Sequence, residues 1–238
     1  MPLRPSDPTA TVQAASLGTE FFRRRLDALP DGALAGESLL PGWTRAHVVA
    51  HVCYNALALG RLAQWASTGV ETPMYASAEV RNTEIRDGAL LAPGALRRLF
   101  ADSAARLDTC WGDVPESRWE HPVRNGQGAM VPASETRWMR TREVWIHAVD
   151  LNTGASFRDI PAPVLERILG DITGAWQARG EPGIRLTPTD SESASSGAAD
   201  AGVQLRGSLA ALTAWAAGRG SLGVSAAAGD VPAPPRWL

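Results

Sequence analysis

Residues 131–151 read VPASETRWMRTREVWIHAVDL, and the fold follows from how this stretch is wound. Pro132 suits the first turn of a helix, where a missing N–H costs nothing. No Gly or Pro interrupts the residues that follow, and Gly154 supplies a stop. Wound as an α-helix, Thr136, Arg140, Glu143, His147 and Asp150 form one polar stripe. Trp138, Met139, Trp145, Ile146 and Val149 lie largely away from it. Glu143 and His147 are four residues apart and stack on a single face, where a carboxylate and an imidazole can share one metal ion. Taken alone, this helix is better explained as a solvated face that happens to carry a histidine.

A second stretch changes that balance. Residues 44–66 read TRAHVVAHVCYNALALGRLAQWA, with Thr44 placed as an N-cap. Between Arg45 and Arg61 no side chain carries a formal charge, the histidines aside. A helix apolar nearly all round belongs in the middle of a bundle. It is too short and too polar to span a membrane. Yet His47 and His51 sit inside it at i, i+4, followed by Tyr54 and Asn55. Buried polar groups need partners. A buried histidine on one helix and a Glu/His pair on another is how helical bundles build metal sites. His47, His51, Glu143 and His147 are therefore candidate ligands. Three N/O ligands with one open position fit a catalytic zinc, and four would close the site. The spacing does not choose between His47 and His51.

Composition narrows the function. The 238 residues allow one large domain or a domain with a smaller partner. A net charge of −2 gives no case for nucleic acid or an acidic membrane surface. All 23 basic residues are arginine, which excludes Schiff-base and Walker-A lysines. Nine tryptophans suggest large buried anchors or an aromatic-lined cleft. Cys53 and Cys110 form no CxxC pair, and Cys53 is read as a small core residue. No apolar signal core opens the chain, so a cytoplasmic, reduced protein is expected. A monomer is expected as well.

The remaining chain predicts a first helix from Thr11 to Leu29, with Leu17 among its inward residues and Arg23, Arg24 and Arg25 on a solvated face. Residues 67–83 read as a connection whose notable polar members are Arg81 and Asn82. A third helix is predicted over Pro93–Trp111. Residues 112–131 read as a loop or short hairpin turning at Asn125-Gly126, with His121 on the surface. After Gly154 the character changes. A helix over Ala162–Trp176, short strands at 184–187, 203–206 and near 222–225, and a helix capped by Ser208 predict a small α/β unit. A low-complexity loop covers residues 189–201. The expected organisation is a four-helix bundle over 1–157 and an α/β domain over 158–238.

Gly218-Arg219-Gly220-Ser221-Leu222-Gly223 matches GxGxxG but follows a helix with too little chain left for a βαβ unit. It is read as a glycine turn. Arg219 is either a surface arginine or a bidentate carboxylate clamp held by that turn. Asp150, one turn beyond His147, is better explained as an exposed helix-end residue than as a group orienting a ligand.

The segments GWTRAHVVAHVCYNALAL, WASTGVETPMY, VPASETRWMRTREVWIHAVDL, SLAALTAWAAGRGSLGV and PPRWL resemble the mycothiol-dependent maleylpyruvate isomerase family, from residue 42 to the C-terminus. The resemblance implies a DinB-like four-helix bundle followed by an α/β domain, a zinc ion, and mycothiol as the thiol. It implies that His51, Glu143 and His147 hold the zinc and leaves His47 outside the ligand set. It implies that Arg219 serves substrate or thiol. Arg81, Asn82 and Tyr54 are further candidate binding residues on their polar character and place in the chain, not on the resemblance. The implied reaction is cis-trans isomerisation of maleylpyruvate to fumarylpyruvate in gentisate breakdown, by thiolate addition, bond rotation and elimination. The rival readings are a mycothiol S-transferase of the same superfamily and a non-enzymatic zinc-binding module.

Overall fold

The computed structural model describes residues 8–181, 183–190, 197 and 202–237. It divides into one compact unit up to Ala155 and a second from Ser156 onward. Most of the low-complexity stretch at 189–201 lies outside the described residues.

The first unit is helical. Helix α1 (Pro8–Asp27) packs on α5 (Glu135–Asp150), and α2 (Arg45–Thr68) packs on α4 (Pro93–Gly112) and α5. The approach of α1 to α5 requires Gly18, because a Cβ there would meet Val144 and Trp145 at 2.6–2.8 Å. Phe22 and Leu26 fill the core from α1, whereas Leu17 is 52% exposed, against its expected inward place. Arg23 pairs with Glu20 and Asp27 at the surface, as a solvated face does. Helix α2 is the central element. Val48, Val49, Ala50, Val52, Ala56, Leu59, Leu62 and Ala63 are all buried, so apolar burial on every side holds it between its neighbours. Thr44 caps it, accepting from the His47 backbone N–H, and Gly69 ends it in the left-handed region.

Two boundaries differ from the sequence reading. Residues 67–83 are not wholly a connection: Ser77 caps a further helix, α3 (Ala78–Ala89), which carries Arg81 and Asn82 on α2. Pro132 does not open the fourth bundle helix. It ends β2 (Met130–Pro132), which pairs antiparallel with β1 (Pro122–Arg124). Helix α5 begins only at Glu135. The hairpin turns at Asn125, whose Oδ1 accepts from Gln127 and Ala129 N–H groups. His121 lies half-buried at its base.

In the second unit, α6 (Ala162–Ala178) and α7 (Leu209–Ala216) accompany a three-stranded sheet, β3 (Ile184–Pro188), β4 (Val203–Gly207) and β5 (Val224–Ala226). β3 and β4 are parallel, and β5 is antiparallel to β4. Trp176 and Trp215 meet edge to face at 5.8 Å in its core. Gly218, Gly220 and Gly223 all have positive φ, so the GxGxxG match is a glycine turn. No helix among the described residues is long and apolar enough to cross a membrane.

Candidate metal centre

His51 faces α5 from the second turn of α2. Its Nε2 lies in close contact with Glu143 Oε1, and His147 Nε2 lies 3.2 Å from the same oxygen. The two imidazoles meet edge to face with centroids 4.8 Å apart. One ligand atom from each of the three residues falls within 4.8 Å of the others. Glu143 Oε1 is buried, yet no hydrogen bond of proper geometry reaches it. Such an orphaned carboxylate oxygen, crowded by two imidazole nitrogens, fits a cation at their common point.

The electrostatics agree. Burial raises the Glu143 carboxyl pKa, but the two imidazoles outweigh it and hold the group well below the usual carboxylate range. Burial lowers His147, but Glu143 and Asp150 outweigh it and lift the imidazole to about 9. At His51 burial wins and lowers the pKa despite Glu143. Positive charge is thus favoured between Glu143 and His147, whether from a proton or from a metal.

Asp150 is fully buried rather than an exposed helix end, and its Oδ2 lies 2.8 Å from His147 Nδ1. It fixes the ring so that Nε2 points at Glu143. Its burial follows from the loop before α2, where Leu39 N–H donates to the Asp150 carbonyl and Arg45 Nε donates to that of Leu151. The polar stripe of α5 therefore faces inward: Thr136 and Arg140 are also buried. Arg140 donates from Nη1 to the Val52 carbonyl at 2.8 Å, and burial depresses its pKa to about 10.

His47 stands apart from the cluster. Its Nδ1 lies 2.7 Å from Thr44 Oγ1 and completes a capping box at the start of α2. Arg81 Nη2 lies 3.4 Å from His51 Nδ1, and Arg81 Nη1 donates to Asn82 Oδ1 at 3.3 Å. No carboxylate of the described residues forms an ion pair with Arg81. Tyr54 packs against α3, where a Cβ on Gly88 would meet its ring at 2.7 Å. Cys53 is buried and its thiol is pushed up to about 12, so it stays protonated. Arg219 belongs to the second unit, where its N–H donates to the Ala214 carbonyl and its Nη1 to that of Ala217.

The sequence reading passed over Trp43 and Tyr75. Trp43 sets its ring edge to face against His51 at 5.5 Å. Tyr75 lies in the segment before α3, with the Arg61 and Arg81 guanidinium groups each 5.8 Å from its ring centroid. A lone aromatic in a turn-rich stretch has no periodicity to betray it. The only signal was the small number of tyrosines, two in the chain.

The family model for the mycothiol maleylpyruvate isomerase N-terminal domain matches residues 15–152, and that for the corresponding C-terminal domain matches 159–236. This chain belongs to the mycothiol-dependent maleylpyruvate isomerase family. A crystal structure of a mycothiol-dependent maleylpyruvate isomerase is 47% identical over 97% of both chains, with a TM-score of 0.93. A histidine-to-alanine mutant of such an isomerase matches with the same identity and coverage and a TM-score of 0.92. No significant match is found among curated proteins. The family's two domain matches fall one on each compact unit, and the His51–Glu143–His147 cluster lies in the N-terminal one.

Proposed function

We propose that this chain is a zinc- and mycothiol-dependent isomerase that converts maleylpyruvate to fumarylpyruvate. The observation that carries the reading is the convergence of His51, Glu143 and His147 on one buried point, with Glu143 Oε1 lacking a hydrogen bond. When bound, zinc supplies a Lewis acid with an open position, and mycothiol supplies a thiol whose pKa that acid lowers. A ligand set of two neutral imidazoles and one carboxylate leaves a divalent ion with net positive charge, which favours an anionic fourth ligand.

The protein's own groups do the rest. Asp150 holds the Nδ1 proton of His147, so its Nε2 lone pair stays available. His47, committed to the helix cap, leaves the centre three-coordinate on the protein side. Beside His51, Arg81 pairs with no carboxylate among the described residues, which suits its guanidinium to one carboxylate of a dianionic substrate. Arg219 is assigned a second anionic group of the substrate, on the strength of the family motif it occupies. With one end of the substrate anchored, the other is free to turn about the bond that loses its double-bond character. Cys53 takes no part, since its thiol is sealed in the core.

The test is an ultraviolet assay of the purified protein with maleylpyruvate, with and without mycothiol, alongside its metal content. Isomerisation that requires the thiol and one zinc per chain is expected. Thiol transfer to electrophiles without isomerisation would replace this reading with an S-transferase, and tight zinc that accepts no thiol would replace it with a binding module.

A further inference from the structure

Tyr75 precedes α3 in a stretch with no regular structure, yet it is fixed from several sides. Arg61 on α2 donates to the carbonyl of Met74 through Nε at 2.8 Å and again through Nη2, so the backbone before Tyr75 is tied to the central helix. The Met74 side chain is buried in the core cluster, and Tyr75 packs against that cluster. The ring is flanked by the guanidinium groups of Arg61 and Arg81, each 5.8 Å from its centroid. Arg81 in turn lies 3.4 Å from His51 Nδ1. Tyr75 is thus joined to the candidate metal centre through a single residue.

Two influences act on the phenol. Burial, with the Glu143 carboxylate second, pushes its pKa up to about 12, while the positive charge of Arg81 opposes the rise. The group therefore keeps its proton through the neutral range. Arginine can only donate, so the guanidinium of Arg81 does not occupy the phenol's own O–H. No hydrogen bond from that O–H to a described residue is formed. A neutral, rigidly held donor beside a cationic anchor is what a developing oxyanion requires.

The reaction proposed above creates such an oxyanion. When a nucleophile adds to a double bond conjugated with a carbonyl, the carbon–nucleophile bond forms and the π pair moves onto the carbonyl oxygen. When the pair returns, the nucleophile leaves and the double bond is restored in the other geometry. No proton or electron is consumed overall, so the oxygen needs a hydrogen-bond donor and not an acid.

We infer that Tyr75 is a further catalytic residue, donating its phenol hydrogen bond to the substrate oxygen that gains negative charge while Arg81 holds the neighbouring carboxylate. This rests on the isomerase reading. Removing one such donor costs about 100- to 1000-fold in turnover where it has been measured in other enzymes. A partly compensated site, with Arg81 still present, is expected to lose about 10- to 100-fold.

The test compares Tyr75→Phe with the wild type, both as zinc-loaded protein with mycothiol and maleylpyruvate. The ring and its packing survive this change, so the fold is not at risk. The expected result is a fall in kcat of that size, with KM within about twofold, an unchanged zinc-to-protein ratio and an unchanged melting temperature. Wild-type kcat in the variant would overturn the assignment while leaving the isomerase reading intact. So would a loss of rate that follows a loss of zinc, since that is a structural effect. A wild type that binds zinc and thiol but does not isomerise would overturn both.

Discussion

The two compact units solve the problem of burial differently. Among the described residues, the buried polar side chains His51, Asn55, Ser103, Thr136, Arg140, Thr141 and Asp150 all lie in the helical unit, and only Thr213 lies in the other. The α/β unit is held by apolar groups such as Ile168, Ile172, Leu186, Leu205 and the Trp176–Trp215 pair. Hydrophobic burial explains its stability without further assumptions. The helical unit carries desolvated charge that stability alone does not call for, since apolar replacements of buried ionic groups are often neutral or stabilising. The difference teaches where chemistry resides: the expensive groups gather at the meeting of α2 and α5.

That contrast can be broken or sharpened by experiment. The largest effect is expected from His51→Ala, which removes one of the three proposed ligands. Zinc content should fall from one per chain to near none and isomerisation should vanish, as read by metal analysis and the ultraviolet assay. Full zinc occupancy in this variant would dissolve the distinction between the units. Next, Trp215→Ala opens a cavity in the apolar core and should cost about 3–5 kcal/mol of stability in denaturant melts. Zinc affinity should not change, because nothing in that core belongs to the ligand set. Asp150→Asn should weaken zinc by about 10- to 100-fold in competition with a chelator, the usual cost of losing a group that orients a histidine ligand. The smallest change is expected from His47→Ala. It loosens a helix cap, at a cost of about 1 kcal/mol, and should leave zinc stoichiometry intact.

Much of this was legible in the sequence, and the failures have physical causes. The apolar run of α2 and its Thr44 cap announced a central helix, and the i, i+4 spacing of Glu143 and His147 announced a shared face. The direction of that face was not legible. It points inward because α2 and the loop around Leu39 and Arg45 cover it, and these lie about a hundred residues earlier in the chain. Asp150 looked like a helix end exposed to water for the same reason. Helix α3 was missed because AEVRNTEIRDGA has almost no apolar stripe, with only Ile85 and Gly88 buried. It is held by close packing of Gly88 on Tyr54 and Ala50, which no periodicity reports. Pro132 suggested a helix start, but pairing across the hairpin with Pro122 took it into a strand. His51 and His47 were equivalent by spacing, and family resemblance pointed to His51. The structure supplies the reason they differ, namely that His47 is spent on its own helix terminus.

The most direct test of the central claim replaces zinc with cobalt(II) and follows the visible and near-ultraviolet spectrum as a thiol is added. The account predicts one cobalt per chain with intense visible bands of low coordination, and a new thiolate-to-cobalt charge-transfer band on adding mycothiol. Failure to bind cobalt, or a bound ion whose spectrum ignores the thiol, would contradict a three-residue centre with an open position.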